Sequence, residues 1–140
     1  MNDVAEAEYP EYRPSVDVKK ASAGLGLFAG EDIPEGTLII EYTGERITPQ
    51  EADRRGGRYL FAVNDNLVID GTDRKYTARY INHSCEPNAE AEHEVTEDRI
   101  YIRALQNIKK GEEITFDYGE DYTTSSYMKD GCKCRKCLTD

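Results

Sequence analysis

The chain has no tryptophan, only two histidines, and no apolar run near the roughly 20 residues that a membrane span needs. Its start, Met1-Asn2-Asp3-Val4-Ala5-Glu6, has neither the basic residues nor the apolar stretch of a secretory signal. No membrane association is expected, and the expected setting is intracellular, in cytoplasm or nucleus. Basic residues are outnumbered, 18 Lys and Arg against 28 Asp and Glu, giving a formal net charge of -10. That balance repels nucleic acid, so no direct nucleic-acid binding is expected, and it suits a basic protein or peptide partner. Cysteine is scarce too, with four in 140 residues. A single domain of this length buries roughly two-thirds of the surface its unfolded chain exposes, so it needs no disulfide staples. In a reducing compartment, four cysteines read as metal ligands.

Their placement supports that reading. Cys85 lies in Tyr80-Ile81-Asn82-His83-Ser84-Cys85-Glu86-Pro87-Asn88, and the other three cluster in Cys132-Lys133-Cys134-Arg135-Lys136-Cys137. Four thiolates close a tetrahedral structural zinc site, and Lys133, Arg135 and Lys136 could offset its excess negative charge.

Short β-branched and aromatic runs dominate the rest. Leu38-Ile39-Ile40, Tyr59 to Val63, Leu67-Val68-Ile69, Ile100-Tyr101-Ile102 and Ile114-Thr115-Phe116 have strand length, and Asn64-Asp65-Asn66 joins two of them as a hairpin. One helix start is clear: Thr48 can cap, Pro49 suits the first helical position and Glu51 completes a capping box, with the helix fading by Gly56-Gly57. Residues 1–18 show no periodicity and read as a lead-in. Ala29, Ile33, Gly36 and Ile39 recur at an offset of 75 as Ala104, Ile108, Gly111 and Ile114. With a one-residue slip, Glu41-Tyr42 answers to Asp117-Tyr118. The series is either a duplicated β unit or two ordinary hairpins that share a turn type.

In order, spacing and identity, several of these segments resemble the SET-domain protein lysine methyltransferases. They run from Gly24-Leu25-Gly26 through Glu41-Tyr42-Thr43-Gly44-Glu45, Tyr59-Leu60-Phe61 and Ala78 to Asn88, then to Gly111-Glu112-Glu113-Ile114-Thr115-Phe116-Asp117-Tyr118 and the terminal cysteines. The resemblance implies a mainly β fold with few short helices, a β-clip with a knot-like C-terminal crossing. It divides the chain into a lead-in at 1–18, a core at 19–119 with a short insert at about 47–78, and a zinc-binding tail at 120–140. It implies S-adenosylmethionine as methyl donor and the lysine of a basic protein, such as a histone tail, as acceptor.

Methyl transfer from a sulfonium to an amine needs sulfur, carbon and nitrogen in line, and a neutral amine. A dry aromatic channel beside a cationic sulfonium pushes a lysine pKa down from about 10.4. Tyrosine rings wall such a channel and stack on cations while their hydroxyls place oxygens at its end. By resemblance, Tyr118 is the catalytic tyrosine and Tyr42 lies along the lysine channel. Phe116 sits where the choice of Phe or Tyr sets how many methyl groups fit, so di- or trimethylation is expected. Cofactor contacts carry over to Gly24, Leu25, Gly26, Tyr59, Arg79, Asn82 and His83, and zinc ligation to Cys85, Cys132, Cys134 and Cys137. The chain departs from the family in carrying Leu25 where many members have Trp, and in spacing Cys134 and Cys137 more tightly.

Two other readings are weighed. A cysteine hydrolase on Cys85 with His83 or His93 is one, but that cysteine stands beside Pro87 in a motif better explained by zinc. A SET-like module that binds a peptide without catalysis keeps the same residues. Glu90, Glu92, Glu94, Glu97 and Asp98 are either an acidic patch for a basic tail or a solvated hairpin face.

Overall fold

In the computed structural model, the β-branched runs of the sequence form antiparallel pairs. The structure describes residues 13–21, 24–57 and 59–118. Ten strands lie among them: β1 (Val16–Ala21), β2 (Gly24–Ala29), β3 (Leu38–Glu41), β4 (Glu45–Ile47), β5 (Leu60–Asn64), β6 (Leu67–Asp70), β7 (Asn82–His83), β8 (Ala89–Glu94), β9 (Arg99–Ala104) and β10 (Glu113–Phe116). They form three sheets, ordered β1-β2-β10-β7, β3-β9-β8 and β4-β6-β5. A 3-10 helix spans Thr77–Tyr80, and one α-helix, α1, spans Pro49–Arg55. The mainly β expectation holds. β10 lies between β2 and β7, antiparallel to the first and parallel to the second, so the late strand passes through a sheet begun by the earliest ones. Among the described residues, no helix is long and apolar enough to cross a membrane.

Helix α1 starts as its sequence dictates. The Thr48 hydroxyl accepts the Glu51 amide at 3.1 Å and Pro49 occupies the first turn. The Glu51 carboxylate does not complete the capping box; it is taken by Arg54 and by Arg55, the latter at 2.7 Å. Arg55 also reaches Glu45 on β4 and Asp70 on β6, both at 2.9 Å, and so ties the helix to its sheet. Asn66 donates its amide to the Asn64 side chain at 2.8 Å, closing the expected hairpin. Strand β1 begins inside the stretch read as lead-in. It is an edge strand whose inner residues are exposed, so the sequence carries little alternation there; pairing along all of β2 defines it.

The repeat is a duplicated unit, and its two copies clasp each other. Ile33 and Ile108 exchange both backbone hydrogen bonds, at 2.7 and 2.8 Å. The Gly36 amide donates to Ala104 O at 2.9 Å, and the equivalent Gly111 amide donates to Ala29 O at 2.8 Å. The Asp32 side chain accepts the Lys110 amide at 2.9 Å, and its counterpart Asn107 accepts the Glu35 amide at 2.8 Å. Each turn closes within its own copy, Thr37 amide to Pro34 O and Glu112 amide to Lys109 O, but the segments on either side bond across to the other copy, residue for residue at the offset of 75. Ile33, Ile108, Leu27, Ile102 and Ile114 are at most 1% exposed around this clasp, each stabilising by about 1.5–3 kcal/mol when fully buried.

Candidate functional site

Five rings stand in a row that draws on all three sheets: Tyr42 follows β3, Phe61 lies on β5, and Phe116, Tyr118 and His83 belong to or follow the β7–β10 pair. Centroids run Tyr42 to Phe61 at 5.2 Å, Phe61 to Phe116 at 6.3 Å, Phe116 to Tyr118 at 5.0 Å and Tyr118 to His83 at 5.3 Å. All are tilted, the geometry that ring quadrupoles favour. The parallel register of Thr115 with Asn82 and Phe116 with His83 sets the end of the row. It places the 82–83 dipeptide beside Phe116 and Tyr118 although 35 residues separate His83 from Tyr118.

Tyr118 is fixed at both ends. Its hydroxyl donates to Ile81 O at 2.5 Å, and its amide donates to His83 Nδ1 at 2.9 Å. His83 is buried, and desolvation holds it below the usual histidine pKa; the Asp117 carboxylate, 3.6 Å from Nδ1 and exposed, pulls the other way without prevailing. Because Nδ1 accepts a hydrogen bond, the neutral ring carries its proton on Nε2, which faces Cys85 Sγ at 3.4 Å.

Tyr42, only 6% exposed, points its hydroxyl at Tyr59 O, 3.3 Å away. The same carbonyl accepts the Gly71 amide at 2.8 Å, and Gly71 O accepts Arg79 Nε at 3.0 Å. A Cβ on Gly71 would sit 3.3 Å from the Tyr42 hydroxyl, so the missing side chain makes room for it. The Arg79 guanidinium lies 3.9 Å from the Tyr59 ring centre and 4.9 Å from that of Tyr80. Asp70 holds the turn before Gly71. Burial alone would raise its pKa, but hydrogen bonds from the Thr72 hydroxyl and amide, and from Arg55, keep it below the ordinary value.

A second cluster forms at β2. Asn82 Nδ2 donates to Leu25 O at 3.0 Å and to Glu113 Oε2 at 2.8 Å. A Cβ on Gly26 would lie 2.5 Å from that carboxylate oxygen and 3.1 Å from Asn82 Nδ2, so Gly26 is the gap that these two side chains fill. Gly24 has φ +97°, a conformation that favours glycine, and Leu25 is 53% exposed.

The structure therefore brings Tyr42, Phe116, Tyr118 and His83 into one row, joins Tyr59 and Arg79 to Tyr42, and joins Gly26 and Leu25 to Asn82. Cys85 is exposed, while Cys132, Cys134 and Cys137 lie outside the described residues. The five carboxylates of the β8–β9 hairpin divide otherwise than a binding patch would. Glu92 pairs with Arg103, Glu97 with Arg99 and Asp98 with His93, each at 2.8 Å, and Glu94 caps the turn amides of Thr96 and Glu97. The solvated-face reading holds for those four. Sequence reasoning passed over Phe61, Gly71, Ile81 and Glu113 as site residues. Phe61, Ile81 and Glu113 lie inside the segments that carry the family resemblance, whereas Gly71 lies outside them.

The family model described as SET domain matches residues 24–119. The chain is 39% identical over 133 residues to a histone-lysine N-methyltransferase, H3 lysine-4 specific, of Chaetomium globosum, covering 87% of this chain and 12% of that protein. It is 43% identical over 122 residues to histone-lysine N-methyltransferase 2D of Homo sapiens, covering 79% of this chain and 2% of that protein. Among solved structures, a chain in the crystal structure of an active polycomb repressive complex 2 in the basal state superposes with TM-score 0.71 at 37% identity, over 78% of this chain and 16% of that one. The chain thus spans a small part of the length of these relatives.

Proposed function

The chain belongs to the SET-domain family, and from that premise we propose that it is an S-adenosylmethionine-dependent protein lysine N-methyltransferase acting on a basic protein such as a histone tail. The observation that carries the proposal is the ring row ending at Tyr118. S-adenosylmethionine, when bound, supplies an electrophilic methyl carbon on a cationic sulfonium. On this reading Tyr42, Phe61 and Phe116, packed ring against ring, line the approach of the lysine, which loses hydration on entering so that its neutral form gains. Tyr118 donates its hydroxyl proton to Ile81 O, so toward the reacting groups its oxygen can act only as an acceptor. The methyl group would pass to the neutral lysine nitrogen, the carbon–sulfur electron pair would leave with S-adenosylhomocysteine, and Tyr118 would stand at the transfer point. Phe116 leaves the path without a hydroxyl where a tyrosine would narrow it, which suits di- or trimethylation.

The donor set fits the methyl donor. Asn82 presents an amide oxygen beside the Glu113 carboxylate, a setting for a cationic amino-acid end. Gly24, Leu25, Tyr59, Arg79 and His83 complete the proposed contacts. For the tail, we propose that Cys85, Cys132, Cys134 and Cys137 hold one structural zinc ion. The Nε2 proton of His83 at Cys85 Sγ is the kind of supporting donor that a metal-bound thiolate takes. A metal assay is expected to find one zinc per chain, lost in Cys85→Ser as well as in Cys137→Ser; zinc retained by Cys85→Ser would remove that residue from the ligand set.

The test of activity is incubation of the chain with labelled S-adenosylmethionine and histone substrates, beside Tyr118→Phe. Label is expected on lysine with the wild type and at least a hundredfold less with the variant, the loss expected of a residue made for the transition state. Cofactor binding without transfer to any substrate would overturn the enzyme reading in favour of a peptide-binding module.

A further inference from the structure

We infer that Glu113 is a positioning residue: it locks the Asn82 amide so that Asn82 meets the cofactor only as an acceptor, for the α-ammonium of the cofactor's amino-acid end. The inference rests on the methyltransferase reading and concerns the part of the cofactor site around Gly26.

An asparagine amide offers two donors on nitrogen and an acceptor on oxygen, and its neighbours decide which way it faces. Both neighbours of Asn82 Nδ2 are pure acceptors, the Leu25 carbonyl at 3.0 Å and the Glu113 carboxylate at 2.8 Å. Turning the amide over would set its oxygen against a carbonyl and a carboxylate at hydrogen-bond distance, which is repulsive. The orientation follows from the partners' chemistry. Both N–H groups are spent, and Oδ1 is what Asn82 has left to offer a ligand.

Glu113 is held in place for this task. It stands on β10 between β2 and β7, with its backbone paired to Phe28 on β2. Its backbone oxygen accepts Asn88 Nδ2 at 2.8 Å, and Asn88 Oδ1 accepts the Thr115 amide at 2.9 Å, which fixes the strand on either side of Ile114. The carboxylate fills the space over Gly26 that any larger residue would occupy. A half-buried carboxylate is a costly choice for a purely structural contact to a neutral amide. It is well matched to a cation held by the Asn82 oxygen next to it, and the amino-acid end of the cofactor carries one.

Binding to the full chain by calorimetry tests this without reference to turnover. S-adenosylhomocysteine has the α-ammonium; 5′-methylthioadenosine shares the adenosine and sulfur but lacks the amino-acid end. Glu113→Ala is expected to weaken S-adenosylhomocysteine about tenfold or more, the scale of a hydrogen bond to a charged group, and to leave 5′-methylthioadenosine unchanged. Glu113→Gln keeps an oxygen for the amide and is expected to fall between Ala and wild type for the first ligand only. Glu112→Gln, on the neighbouring exposed turn, is expected to change neither affinity. Equal losses for both ligands, wild-type affinity in Glu113→Ala, or Gln no better than Ala would overturn the inference. Should Glu113→Ala fail to fold, Glu113→Gln decides alone, and a loss shared by both ligands or no loss at all overturns the role. A wild-type chain that binds neither ligand would remove the cofactor reading and this inference with it.

Discussion

On the methyltransferase reading, single residues set the width of the proposed lysine path, and two of them make opposite demands on legibility. Phe116, 3% exposed between Phe61 and Tyr118, stands in a motif that the sequence announces. Phe116→Tyr adds a hydroxyl inside the row, and mass spectra of the methylated substrate are expected to shift toward monomethyl-lysine; an unchanged product distribution would remove Phe116 from control. Gly71 carries no motif. Its role arises because the turn after β6 sets it against Tyr42, 29 residues earlier in the chain, where a Cβ would stand 3.3 Å from the hydroxyl and 3.5 Å from the ring. Such a contact forces a shift of a few tenths of an ångström, and Tyr42 is the residue proposed to border the lysine path. Gly71→Ala is therefore expected to lower the methyl number as well. Its stability should change by less than about 1 kcal/mol, because the lost unfolded-state entropy of glycine offsets part of the crowding. A wild-type product distribution in Gly71→Ala would show that Tyr42 does not border the acceptor. Glu113 and Phe61 stand in segments that the sequence announces, but their partners are close in space and remote in sequence, so their contacts stayed hidden.

At the scale of elements, helix α1 and the sheet β4-β6-β5 behave as one piece pinned by Arg55. The sequence shows the helix by its cap and the hairpin by its turn, since both are local. It hides the pin, because Glu45, Glu51 and Asp70 converge on Arg55 only once the sheet has formed. The pin has a pH signature. Hydrogen bonds from Arg54 and Arg55 hold Glu51 at about 2, and Asp70 lies below its ordinary value despite burial. Carboxylates depressed on folding give stability that is complete above the unfolded value of about 4 and is lost as pH falls through the folded values. Arg55→Met is expected to melt lower than wild type at neutral pH, with the gap closing between about pH 4.5 and pH 2. Thermal unfolding followed by circular dichroism across that range is the measurement, and a gap that stays constant to pH 2 would mean that the pin contributes no charge-dependent stability. This sheet also carries Tyr59, through the Gly71 amide on its carbonyl, and Phe61 on β5, so the pin bears on the ring row as well as on the helix.

At the centre of the molecule two similar β segments hold each other, with the β4-β6-β5 sheet and helix α1 outside them, and this pairing was the most global feature legible in the sequence. Four spaced identities marked the duplication. What they could not show is that each copy satisfies the other, since a repeat of strand, turn and strand fits two separate hairpins equally well. The reciprocal bonds decide it, and they make a quantitative demand. Gly36 at φ +85° and Gly111 at φ +90° occupy matching turns, and a Cβ on either would meet nothing within 4 Å. Alanine at either site then carries only the backbone penalty of a positive φ, about 1–2 kcal/mol. Gly36→Ala and Gly111→Ala are accordingly expected to lower the unfolding free energy by similar amounts in urea titrations. The penalty is local to each turn, so the double variant is expected to lose about the sum. If one substitution cost several times the other, the two turns would not be carrying equivalent halves of the clasp, and the apparent symmetry would be one of hydrogen bonds without one of energy.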